Sequence, residues 1–386
     1  MTLSNSIAAI AEEARGWRHD IHRHPELQYD VHRTAGLVAD LLRGFGCDEV
    51  VEGIGRTGVV GLIRGRGPGR TIGLRADMDA LPIKEETGLA HASTVPGKMH
   101  ACGHDGHTAM LLGAAKHLAE TRDFDGAIAV IFQPAEEGGA GGKAMVDDGM
   151  MDRFGIAEVY GMHNMPGLAP GAFAIRPGPL LAATDVFDIT IKGRGAHAAK
   201  PHEGIDPIVI ASQIVLALQT IAARTVDPLK SAVVSVTAIE AGSAYNVIPQ
   251  ICRLKGTCRS LEAGIRDLME ERLVAIATSI AAAHGATAEA VYTRNYPVTR
   301  NHAAETDHAI TAARAVAGPA AVITDTPPVM GGEDFAYMLE ARPGAFIFIG
   351  NGDSAGLHHP AYDFNDAILG QGIQYWATLA RQRLAA

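Results

Sequence analysis

The order of apolar patterns between residues 184 and 295 constrains this chain most. Residues 186–191 (Val-Phe-Asp-Ile-Thr-Ile) alternate with period two, residues 208–223 form a long run of Ile, Val, Leu and Ala, and strand patterns follow at 232–239 and 251–258. A helical stretch over 266–284 and a strand over 288–292 complete the series. Strand, helix, strand, strand, helix, strand is the ferredoxin-like order, a two-layer α+β unit able to fold by itself. The flanks read differently. Strand patterns at 58–63, 70–76, 127–132 and 345–349 are interleaved with helix-period stretches within 21–46, at 107–120 and at 368–384. Such interleaving predicts a mixed, largely parallel sheet covered by helices. The chain therefore reads as an α/β domain formed by residues 1–183 and 296–386, interrupted by an inserted α+β domain at 184–295.

Charge and cysteine usage narrow the partners. At 386 residues the chain is long enough for two cores. A formal net charge of −10 argues against nucleic acid and against an anionic membrane surface. No run of about eighteen unbroken apolar residues is present, so no membrane-spanning helix is expected. The N-terminal segment, with Glu12, Glu13 and Arg15, lacks the pattern of a secretion signal, and a cytoplasmic location is expected. Four scattered cysteines, Cys47, Cys102, Cys252 and Cys258, do not make a disulfide framework.

The chemistry concentrates in the run from Met99 to His107, which holds Cys102, three histidines and Asp105 with glycines between them. Thiolate and imidazole donors suit a borderline-soft divalent ion such as zinc. Other candidate donors fall at or beyond predicted strand ends, where open α/β sheets collect their chemistry. Asp77 and Asp79 follow the 70–76 strand, Glu136 and Glu137 follow 127–132 after Pro134, His163 follows 158–161, and His358 and His359 follow 345–349. Adjacent residues of a continuing strand face opposite ways, so Glu136 and Glu137 can share a site only because Pro134 breaks the strand and glycines follow. One carboxylate can then bind metal while its neighbour moves protons, which is the apparatus of hydrolysis. Two other readings stand beside this one. Cys102 could act as a nucleophile with His104 as its base, or the chain could be a non-catalytic binding protein.

Several motifs carry a family resemblance. Leu74-Arg75-Ala76-Asp77-Met78-Asp79, the run from Met99 to His107, Phe132-Gln133-Pro134-Ala135-Glu136-Glu137-Gly138, Gly161-Met162-His163 and Leu357-His358-His359-Pro360 resemble the peptidase M20 family. The branch is the M20D-like one of bacterial aminoacylases, hippurate hydrolases and plant indole-acetyl-amino-acid hydrolases. The resemblance implies a zinc-peptidase-like catalytic domain with two divalent metal ions (Zn, Mn, Co or Ni) held by Cys102, His104, Glu137, His163 and His358, Cys102 bridging them. It makes Glu136 the general base and acid and gives Asp79 an orienting role, with Asp77 outside the ligand set. The pattern Leu-His-x-Pro selects His358 over His359.

The inserted domain carries Gly193-Arg194-Gly195-Ala196-His197 and Ala244-Tyr245-Asn246-Val247. By the same resemblance His197 steadies the oxyanion, from the opposite subunit in dimeric relatives, and Asn246 and Arg259 contact the substrate, Arg259 through its carboxylate. The implied reaction is hydrolysis of N-acyl amino acids, hippurate-like or N-acetylated, by a metal-activated water in a homodimer or homotetramer paired through the inserted domain. Dipeptidase or carboxypeptidase action on short peptides is the alternative within the family.

Overall fold

The structure, a computed structural model, describes residues 5–385. It divides into two compact units, the larger containing the chain up to Leu180, Arg300–Pro327 and the stretch from Asp334 on, the smaller Leu181–Thr299 and Pro328–Glu333. The smaller unit thus begins and ends a few residues outside 184–295 and takes in a distant short segment that no sequence pattern marks.

The larger unit is built on β1 (Glu49–Ile54), β2 (Gly58–Arg64), β3 (Thr71–Asp77), β4 (Ala127–Gln133), β5 (Ile156–Pro166), β6 (Phe173–Ala174), β7 (Val322–Ile323) and β8 (Gly344–Gly352). They form one sheet in the order β1-β2-β4-β3-β5-β8-β6-β7. The central strands β4, β3, β5 and β8 run parallel, while β2 and β6 pair antiparallel with their inner neighbours. The sheet is mixed and largely parallel, as its interleaved helices and strands require. Alternate residues of each strand, Ile72, Leu74 and Ala76 of β3 and Ile128, Val130 and Phe132 of β4, share one core with α1 (Asn5–Arg23), α2 (His32–Gly44), α3 (His104–Thr121) and the helix Leu369–Arg383. By the period of two, Arg75 and Asp77 of β3 and His163 of β5 point to the other face. Three local boundaries differ from the sequence reading. The helix-period pattern within 21–46 is α2, while α1 ends at Arg23 ahead of Pro25, which cannot continue a helix; α3 starts three residues earlier, at His104; β5 runs through His163 instead of ending before it.

In the smaller unit the strands Ala183–Lys192, Ala232–Ala241, Ile251–Ser260 and Thr287–Arg294 alternate with the helices Pro207–Thr220 and Ala263–Ala283. The sheet order is Ala232–Ala241, Ile251–Ser260, Ala183–Lys192, Thr287–Arg294, antiparallel throughout. This is the ferredoxin-like arrangement, and Phe187, Ile189, Ile191, Ile210, Ile214, Leu218, Met269 and Leu273 fill the space between its layers. The helical run Pro207–Thr225 is long and apolar enough to cross a membrane by length and composition, although no unbroken apolar stretch was visible in the sequence. One face of it is accounted for by the core, through Ile210, Ala211, Ile214 and Leu218.

Candidate metal centre and active site

Four chain segments meet at the carboxyl ends of β3, β4, β5 and β8. Gly103, with φ +90°, turns the chain into α3 where a Cβ would lie 2.3 Å from Asn164 Nδ2 and 2.6 Å from Tyr362 Oη, so glycine both takes the left-handed turn and leaves room for these two side chains. Asn164 ties the segments together. Its Nδ2 donates to Cys102 O at 2.7 Å, its N–H donates to His107 Nε2 at 3.0 Å, and its Oδ1 accepts from Tyr362 Oη at 2.6 Å. His358 N–H donates to Ala101 O at 2.8 Å, which anchors the last segment.

The two glutamates are aimed by a turn and a carboxylate. Beyond β4 and Pro134, Ala135 takes the left-handed conformation at φ +53°, and Asp79 accepts the N–H groups of Glu136 at 2.9 Å and Glu137 at 3.1 Å. The break in the strand brings both carboxylates within reach of His104. Asp79 holds this turn through its main chain, a way of orienting a ligand that needs no contact with the ligand's own oxygens.

Donor atoms converge here. Cys102, His104 and His163 form one group, Cys102, Glu137 and His358 a second, and His104, Glu136 and Glu137 a third, each with its ligand atoms within 4.8 Å of one another. Cys102 Sγ stands 3.4 Å from His163 Nε2, and Glu137 Oε1 lies 3.2 Å from His358 Nε2 and 4.0 Å from His104 Nε2. His104 Nδ1 donates to Asp79 O at 2.8 Å and His163 Nδ1 to Asn164 O at 2.7 Å, so both rings present Nε2 to the cluster. His104 Nε2 is buried with no hydrogen-bond partner, and Glu137 Oε1 is buried with only the ion-pair contact to His358 beside it. Unsatisfied buried polar atoms are costly, and a divalent cation satisfies both; the donor set fits a metal. His359 is used differently: its Nδ1 accepts the Ala361 N–H at 3.1 Å.

The electrostatics explain which histidine is free. His107 donates from Nδ1 to Asp77 Oδ1 at 2.7 Å and accepts at Nε2 from Asn164, so both nitrogens are taken. Burial would raise Asp77, but His104, Arg75 and His107 outweigh it and hold the carboxyl well below the usual range. Asp77 therefore serves as an anion that Arg75 Nη1 neutralises at 2.8 Å and that accepts a hydrogen bond from His107. Arg75 in turn reaches Asp334 at 3.1 Å, which also accepts from Gln133 and the Gly142 N–H. Burial, then Glu137, Glu136 and Asp77, push the Cys102 thiol well up. A thiol in such acidic company stays protonated without a cation, and its nearest imidazole is His163, not His104; both facts weigh against a free cysteine nucleophile. Asp105 accepts from Arg18 Nε and His22 Nδ1, each at 2.8 Å, and pins the helix that carries His104 to α1.

The remaining site residues belong to the smaller unit. His197, exposed, lies in the short strand Ala196–His197, which pairs with Val247–Ile248. Ala198 N–H donates to Asn246 O at 3.0 Å, so His197 and Asn246 are brought side by side. His197 Nδ1 accepts the Ala199 N–H at 3.1 Å, which leaves the neutral ring's proton on Nε2 as a donor. Arg259 is half-buried; it donates to Thr257 Oγ1 and to Cys258 O and makes no ion pair among the described residues.

The chain matches the model of peptidase family M20/M25/M40 over residues 73–382. It belongs to that family. It is 42% identical over 384 residues, covering 100% of both chains, to a protein of Campylobacter jejuni subsp. jejuni named hippurate hydrolase. It is 42% identical over 366 residues, 94% of this chain and 86% of the other, to the N-acetyl-L-cysteine deacetylase of Bacillus subtilis. A solved Bacillus subtilis structure described as a dinuclear metal-binding peptidase from the M20 family superposes with a TM-score of 0.86 at 36% identity, covering 98% and 99% of the two chains. This M20 protein is accordingly a metal-dependent amidohydrolase, and the family resemblance of its motifs holds. Sequence reasoning passed over Asn164, Gln133, Asp334 and Tyr362. Gln133 stands inside a quoted motif and Asn164 directly after one, but Asp334 carries no such signal, since these roles rest on partners far away in the chain.

Proposed function

We propose that this M20 enzyme hydrolyses N-acyl amino acids with a free carboxylate, in the cytoplasm, as a homodimer, with two divalent ions drawn from Zn, Mn, Co and Ni. The observation that carries the reading is the placement of Glu136 beside His104 and Glu137, within a set of metal donors completed by Cys102, His163 and His358 and buried, or nearly so, except at His358. Bound cations supply a polarised carbonyl and a water of lowered pKa. The chain's residues do the rest. Glu136 takes the proton of the attacking water and delivers it to the departing nitrogen. Asp79 keeps the Glu136–Glu137 turn in place. His197 Nε2–H donates to the carbonyl oxygen as it becomes negative, Asn246 beside it contacts the substrate, and Arg259, free of an ion pair, takes the carboxylate through its planar fork. Hippurate and N-acetyl amino acids are the substrate classes that the relatives' names support. The negative charge of the chain favours no nucleic acid or membrane partner.

Pairing of two copies is supported by the apolar residues that the smaller unit leaves exposed, Val209 at 51%, Leu216 at 74% and Ile239 at 57%. Metal-free protein reloaded with Zn, Mn, Co or Ni and assayed for amine release from a panel of N-acyl amino acids tests the substrate reading. Glu136→Gln is expected to keep its metal and lose turnover by about 10²–10⁴-fold. Near-normal kcat in that variant would remove Glu136 from the chemistry.

A further inference from the structure

The segment from Glu26 to Tyr29 touches both loops that aim the glutamates. Ala80 N–H donates to Glu26 O at 2.8 Å, next to the Asp79 carboxylate. Gln28 O accepts the Ala135 N–H at 3.1 Å, and the Gln28 Nε2 donates to Glu137 O. Tyr29 Oη donates to Gly139 O at 2.7 Å. Gln28 also lies flat against the turn: a Cβ on Gly139 would sit 2.4 Å from its Oε1. Gln28 itself is in the left-handed region, at φ +55°, where an unbranched side chain other than Asn or Asp is uncommon and persists only if its surroundings over-determine it.

The turn it grips has two soft points. Ala135 at φ +53° and Gly138 at φ +88° bracket the Glu136–Glu137 pair, and the Asp79 bonds hold the two amide N–H groups but leave the carbonyl of Glu137 to another donor. We infer that Gln28 is a positioning residue for catalysis, whose side-chain amide locks the Glu137 carbonyl and so fixes the directions in which the two carboxylates leave the turn. The inference rests on the roles proposed above for Glu136 and Glu137.

Three variants test it, each assayed for kcat, KM, metal retention against a chelator and melting temperature. Gln28→Gly relieves the left-handed backbone and removes the side-chain donor. Its melting temperature is expected to hold or rise while kcat falls and metal loss quickens, both by about 10- to 100-fold, with KM within about twofold. Gln28→Glu, which has the same shape without the donor, is expected to show the same losses. Gln28→Lys, which restores a donor, is expected to recover most of kcat. Wild-type kcat and metal retention in the Gly and Glu variants overturn the inference, as does a kcat loss that only follows a falling melting temperature and that Lys does not rescue. Glu136→Gln run in parallel separates the two claims: if it is active, the assignment of the base fails; if it is inactive while the Gln28 variants behave as wild type, only the positioning role fails.

Discussion

The two units handle their functional side chains in opposite ways. In the larger one, Asp77, Asp79, Cys102, His104 and His163 are buried while His358 is exposed, and side-chain and main-chain bonds orient the rings of His104, His107 and His163. In the smaller one, His197 and Asn246 stand exposed and are held by main-chain ties. The difference follows from what each set must do. Metal donors have to converge on one point before the ion arrives, which calls for side chains oriented by bonds at their other atoms. Groups that meet a small polar substrate need only their own orientation, and a short ladder supplies it.

Removing the sulfur is the harshest way to break this comparison. Cys102→Ala should strip the centre of metal and lower turnover by about 10³-fold, read by elemental analysis beside kcat; full activity in a metal-depleted protein would undo the metal reading altogether. His197→Ala probes the exposed side. Its kcat is expected to fall about 10²-fold, near 3 kcal/mol, which is what one pre-placed oxyanion donor is worth. Metal content and melting temperature should hold, because the ring is exposed and bonds only locally, to the Ala199 N–H; a loss of either would mean that the smaller unit is as tightly built as the larger.

The smallest effect comes from the buried network behind the centre. Burial alone would lower His22, but Asp105 and Glu85 outweigh it and hold the imidazole up to about 9. A group raised on folding contributes stability that is complete below its unfolded value near 6.5 and is lost as pH rises through about 9. The melting temperature of the metal-free protein should therefore fall by a few degrees across that window, and His22→Gln should flatten the slope. An unchanged slope would show that Asp105 is balanced by Arg18 alone.

How much of the site was legible depends on where a residue's partners lie. Cys102, Glu136, Glu137 and His358 sit in motifs at strand ends, and strand ends can be read from periodicity. The limits of β5 were harder, since Gly161-Met162-His163-Asn164 continues a buried parallel strand in which no polar alternation marks the end. Gln28 and Asn164 were invisible because each acts through bonds to residues more than 50 positions away.

The sequence by itself determined the element order, hence the mixed sheet and the ferredoxin-like insertion, because hydrophobic period and loop length leave few ways to bury both. It also determined which residue types were present for metal and proton chemistry. Only the tertiary structure decided among neighbours of the same type. His100, His104 and His107 lie within eight residues of one another in the sequence. His107 is spent on Asp77 and Asn164, and among the described residues His100 enters no donor group; His104 alone of the three turns a free nitrogen toward Glu137. For His104 and His107 the use is set by what their two nitrogens already bond, and those partners come from β3, β5 and the loops beyond the strands, which meet only when the sheet has formed; His100, buried with neither nitrogen bonded, is left out by its position alone.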